Sequence, residues 1–102
     1  MQLELDKILV VNNLEESRFE VKVEEHLAVI DYFYKRGEIV FTHTGVPEPL
    51  EGHGLASKMA RFVLDFARSE GLKVIPRCPF IRSYIQRHSE YTDLVSDSFG
   101  EL

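Results

Sequence analysis

The chain predicts an α+β fold: a mainly antiparallel sheet, one long helix, a short strand and a short closing helix. Three features carry that expectation. Residues 18–25 alternate apolar and polar side chains with a period of two, as a strand with one buried face does, and residues 27–46 continue as runs rich in β-branched and aromatic side chains. Residues 55–67 repeat apolar side chains at offsets of three and four, which marks one face of a helix. The period changes at a glycine-rich turn, Glu51-Gly52-His53-Gly54-Leu55-Ala56.

Residues 8–13 suit a strand at the sheet edge. In residues 18–25, Phe19, Val21 and Val23 alternate with Glu20, Lys22 and Glu24. A turn at Glu25-His26 leads into residues 27–36, rich in β-branched and aromatic side chains. Gly37 punctuates, and residues 38–46 form the next strand of an antiparallel meander. The long helix is expected to bury Leu55, Met59, Phe62, Val63, Phe66 and Ala67, with Ser57, Lys58, Arg61, Asp65, Arg68 and Ser69 in water. Gly71 ends it as the left-handed residue past the last turn. Residues 72–77 make a short apolar strand, and Pro79 fits the first position of a second helix over residues 80–88. No repeat, linker or low-complexity tract divides the chain, so residues 1–102 are expected to be one domain.

Composition narrows the function classes. A net charge of −5 and the lack of a basic stripe speak against a nucleic-acid binder. No apolar run approaches ~18 residues, so no membrane span is expected. The start of the chain carries early acidic residues and no basic segment, unlike a secretory signal. Cys78 is the one cysteine, which excludes an internal disulfide and points to a reducing, cytoplasmic setting. His26, His53 and His88 lack metal-ligand spacing, so no metal is expected.

Gly52 and Gly54 have two readings. They are either a flexible strand-to-helix loop, or an anion site where bare backbone meets the positive end of the helix. A Walker-type loop is excluded, because no Gly-Lys-Ser/Thr follows. A dinucleotide fold lacks its repeated strand-helix-strand unit.

The order of elements and the glycine turn resemble the GNAT superfamily of acetyl-CoA-dependent N-acetyltransferases. The likeness is closest to its small single-domain members. His43-Thr44-Gly45-Val46 in the strand before the turn, Gly52-His53-Gly54-Leu55-Ala56, and Cys78-Pro79-Phe80 carry it in this order, and it spans nearly the whole chain. Glu51 departs from the Gln or Arg usual at that place. The resemblance implies a compact GNAT-like fold whose long helix binds phosphate. It implies acetyl-CoA held by Thr44, Gly45, Val46, Gly52, His53, Gly54, Leu55, Ala56, Ser57, Lys58, Pro79 and Phe80. The partner is then an amine acceptor, small molecule or protein, and the chain a monomer or weak homodimer. The acidic balance suits a cationic amine.

Three residues are candidates for chemistry. Cys78 stands at the start of the second helix with Arg77 and Arg82 near in sequence, which favours the thiolate, the reactive form. In the resembled family the equivalent cysteine lies near the acetyl thioester. Two mechanisms are open: Cys78 takes the acetyl group and passes it on, or the amine attacks the thioester directly and Cys78 lines the pocket. Tyr84, at the offset of a family tyrosine, is a candidate acid for the departing thiolate. His43 is a candidate base. A binding module that holds acetyl-CoA with little transfer is the competing reading, as is a core role for each of these side chains.

Overall fold

A computed structural model describes residues 2–102. Five strands form one sheet in the order β1 (Val11–Asn13), β2 (Arg18–Val23), β3 (His26–Lys35), β4 (Glu38–Gly45) and β5 (Lys73–Pro76). Pairing is antiparallel from β1 to β4 and parallel between β4 and β5. A parallel neighbour needs a crossover, and α1 (Leu55–Ser69) supplies it. After β5 come α2 (Pro79–Arg87) and a 3-10 helix (Ser89–Leu94), and Val95 then bridges Val74 in parallel. The chain thus has the expected α+β class and mainly antiparallel mixed sheet.

Two-residue loops build the meander, with Val23 opposite His26 and Lys35 opposite Glu38. Arg36 and Gly37 take φ of 40° and 79°, as the preferred hairpin turn requires. The first hairpin turns at Glu24-Glu25, so His26 belongs to β3 and not to the turn. Residues 8–10 also differ from the expectation of a strand. Leu5–Lys7 form a 3-10 turn, and Leu3, Leu5, Ile8 and Val10 pack against the core, which leaves only Val11–Asn13 to pair with β2.

Both helices cover one face of the sheet. Phe19, Ile30 and Phe41 share a core with Met59 and Val63 of α1 and Ile81 and Ile85 of α2. The buried arc of α1 is turned from the expected one: Phe62 is 41% exposed, while Ala60 and Leu64 are fully buried. The flank turned inward faces α2 and the 3-10 helix, where Arg68 bonds both carboxylate oxygens of Asp93 at 2.9 Å. Gly71 ends α1 as expected, with φ 68°. Its N–H reaches Arg68 O at 3.2 Å and that of Leu72 reaches Ala67 O at 2.9 Å, the two bonds of a Schellman motif.

On the other face, Phe33, Val40 and Ile75 form a row across β3, β4 and β5. The Arg77 guanidinium lies 6.0 Å from the Phe33 ring, so its stem crosses β4. Glu38 reaches past β5 to the hydroxyls of Ser96 and Ser98. Val40 and Ile75 on this face are buried. No helix among the described residues is long and apolar enough to cross a membrane.

Candidate active site

The site lies where β4 outruns β5. Their pairing stops at Phe41 opposite Pro76, while β4 continues to Gly45. The Cys78 N–H then donates to Phe41 O at 2.8 Å. Because β4 and β5 run parallel, α1 and α2 both begin at the same end of the sheet.

A register shift decides which side chains meet there. His43 stands opposite Asp31, but Phe41 stands opposite Tyr32, so Thr42 is an extra residue, a β-bulge. Opposed residues share a face and successive ones alternate. Thr44, opposite the buried Ile30, therefore lies on the helix-covered face. His43, opposite Asp31, lies on the other face and is exposed. Unbroken alternation from Phe41 would have reversed the two.

Cys78 is the N-cap of α2, in extended backbone, with Pro79 at the first helical position. It is 2% exposed. Its Sγ lies 3.2 Å from Thr44 Oγ1, and either group can donate. The structure thus brings Thr44 and Cys78 together and keeps His43 away from them.

At the start of α1, Gly52 and Gly54 take φ of 79° and 81°. That region costs an L-residue about 1–2 kcal/mol, so the backbone itself favours glycine here. No side chain caps α1. Gly52, Gly54 and Ser57 are exposed, His53 and Ala56 are half-buried, and Leu55 is buried and anchors the turn. A Cβ on Gly52 would meet nothing within 4 Å, and one on Gly54 would stand 3.3 Å from Leu5 Cδ1. Gly45 has His43 beside it: an added Cβ would lie 3.1 Å from the imidazole Nε2. Val46 and Phe80 are half-buried against the core and Pro79 is exposed.

The remaining candidates are Lys58 on α1 and Tyr84 on α2. Lys58 and Arg61 line a cavity of about 360 Å³ beside the first turns of α1, with Leu5, Asp6, Phe62 and Asp65. A cavity of about 670 Å³ lies at the β1 edge, the opposite edge of the sheet from Cys78. Tyr84 is buried, with its ring stacked 3.9 Å from that of His88. Burial raises its phenol above the ordinary value, Arg61 opposes that, and Glu90 and Asp65 add to it. The charges around Tyr84 thus come from α1 and the 3-10 helix. The Arg82 guanidinium lies 5.4 Å from the Phe99 ring, with a buried Nε that has no hydrogen-bond partner. Among the described residues no cluster of three His, Cys, Asp or Glu could hold a metal.

The partnership of Thr44 with Cys78 has no signature in the sequence, because no periodicity signals the bulge that turns Thr44 toward the sulfur.

A meander, a crossover helix that opens on bare glycines, and a second helix that opens on a cysteine make up one α+β domain type. Residues 18–94 match the family described as GCN5-related N-acetyl-transferase, and the chain belongs to that family. A solution structure of a GCN5-like putative N-acetyltransferase from Staphylococcus aureus is similar at a TM-score of 0.68, with 31% identity over 86% of this chain and 87% of that one. Protein NATD1 of Gallus gallus and that of Mus musculus are each 37% identical over 62 residues, 60% of this chain. The match spans 56% of the length of those two relatives.

Proposed function

We propose that the chain binds acetyl-CoA and transfers the acetyl group to an amine, with Cys78 at the reacting carbonyl. The observation that carries this reading is the meeting of two helix starts at the end of β4: an uncapped glycine turn on α1, and Cys78 against Thr44 on α2. Family membership supplies the reaction class.

The residues fit an acyl-CoA. The bare amides at Gly52–Ser57 suit a diphosphate. Lys58 adds a cation one turn on. Beyond Phe41, Thr44, Gly45 and Val46 have no β5 partner, so their backbone is available to an amide-bearing arm. Acetyl-CoA supplies an activated acetyl thioester. Cys78 supplies a nucleophile, and its sulfur leaves again as an amine takes the acetyl group. A second reading is direct attack by the amine, with Cys78 lining the pocket. The 2% exposure of Cys78 and its bond to a hydroxyl rather than to a base favour that alternative. The acceptor we propose is a cationic amine, on the basis of the net charge of −5.

Mass spectrometry of the native protein after incubation with acetyl-CoA tests this function. An acetyl adduct on Cys78 that a screened amine removes establishes transfer through cysteine. Bound CoA without an adduct, and with acetylated amine in solution, establishes direct transfer. Neither bound CoA nor acetylated amine overturns the proposal.

A further inference from the structure

We infer that Thr44 is a positioning residue for Cys78: its hydroxyl fixes the sulfur at the end of β4 and donates a hydrogen bond to it whenever the sulfur is charged. This rests on the proposed reading of Cys78 as the reacting group.

The geometry leaves the sulfur little freedom. The Cys78 backbone is held on both sides, its N–H on Phe41 O at 2.8 Å and its C=O by the Arg82 N–H at 3.0 Å. Only the side-chain torsion remains, and the contact at 3.2 Å to Thr44 Oγ1 sets it. Thr44 is itself stiff, because a β-branched side chain has few rotamers on a strand. The bulge at Thr42 brings its hydroxyl to this face, and a register without that extra residue would present His43 instead. Between a neutral thiol and a hydroxyl either can donate, but a thiolate has no proton, so the hydroxyl must then be the donor. In the proposed transfer the Cys78 sulfur bonds the acetyl carbonyl carbon as the thioester C–S bond breaks. The released thiolate takes a proton from solvent. The amine nitrogen then bonds the same carbon, loses a proton to solvent and returns Cys78 as thiolate. Thr44 keeps its own proton throughout.

The chain has one cysteine, so alkylation by iodoacetamide reads this thiol alone. Thr44→Val keeps the shape and removes the donor, and Thr44→Ser keeps the donor. At pH 7 without acetyl-CoA, Thr44→Val should slow alkylation about threefold, because the roughly tenfold cost of one hydrogen bond to a charged sulfur is partly offset by the greater nucleophilicity of the thiolate that has lost it, and Thr44→Ser should stay near wild type. In turnover, Thr44→Val should lower kcat and leave KM for acetyl-CoA near wild type. Thr44→Ala repeats the test if Thr44→Val does not fold. Alkylation of Thr44→Val at the wild-type rate or faster overturns the inference, as does a Thr44→Ser protein as slow as Thr44→Val, or a wild-type thiol that does not react. Alkylation needs no acetyl-CoA. A thiol that depends on Thr44 in a protein that never transfers acetyl refutes the proposed function and leaves this pairing standing.

Discussion

α1 and α2 start at the same end of the sheet, and neither start has a side-chain cap. Both turn unpaired amides and the positive end of a dipole toward the carboxyl ends of β4 and β5. Yet one start is open and the other closed. Gly54 caps α1 in a left-handed conformation and is exposed, so the backbone stands bare. Cys78 caps α2 in an extended conformation and is 2% exposed, so a side chain fills the same space. The dipole does not distinguish the two ends. The conformation of the capping residue does: one end leaves its backbone open, and the other buries a sulfur.

Substitutions at each cap test that contrast. Cys78→Ala should have the largest effect, a loss on the order of a hundredfold or more in kcat while acetyl-CoA affinity stays near wild type. Calorimetric titration beside steady-state kinetics checks it, and near-normal turnover would leave α2 a packing role only. Gly54→Val comes next. It forces a β-branched residue to φ 81° and toward Leu5, and should cost about 1–3 kcal/mol of stability. Acetyl-CoA should raise the melting temperature of the wild type by mass action, and Gly54→Val should abolish that rise. Gly52→Ala meets open space and should cost only the left-handed conformation, about 1–2 kcal/mol. Equal ligand shifts in wild type and Gly54→Val would move the anion site away from α1.

Smaller effects belong to the clamp that holds the 3-10 helix beside α1. The Tyr91 hydroxyl donates to Asp65 at 2.7 Å, and burial, then Asp65, raise its phenol to about 12. A folded value above the ordinary one near 10 means that this stabilisation is complete below pH ~10 and is lost as pH rises toward 12. Tyr91→Phe should therefore flatten stability across that alkaline window, measured by denaturant melts. The smallest effect is at Asp93, whose carboxyl the Arg68 guanidinium holds below its usual range. Its contribution is present above the unfolded value of 3.8 and fades as pH falls through the lower folded one. Arg68→Met should remove that part of the acid dependence and little else.

The sequence revealed this contrast only in part. Gly52 and Gly54 were readable because a left-handed backbone favours glycine, and Pro79 because it suits a helix start. The first strand of the meander shows in its alternation, and the next two in their β-branched and aromatic side chains. The bulge at Thr42 did not. Thr42, His43 and Thr44 are all polar, so no apolar residue marks which of them faces the core, and His43 could be taken for a neighbour of the site. The turned face of α1 was hidden for another reason. Phe62 is more apolar than Ala60, but packing against α2 and the 3-10 helix decides which flank is buried. Tyr84 was placed on the right helix, and only the tertiary packing shows that its charged neighbours are Arg61, Glu90 and Asp65.

The contact between Thr44 and Cys78 joins residues 34 apart in the chain, whereas the hairpins beside it close over two-residue loops. Hairpins form in about 1–10 μs, but a long-range parallel pairing must first meet the entropy of closing its loop. The meander can therefore take shape before the sulfur has a partner. Until α1 docks and β5 pairs, Cys78 is a solvent-exposed thiol on a flexible chain. Exposure is one of the things that sets how readily a cysteine oxidises. Oxidants will reach this sulfur most readily in the newly made chain, and once the crossover closes, the fold itself shields it.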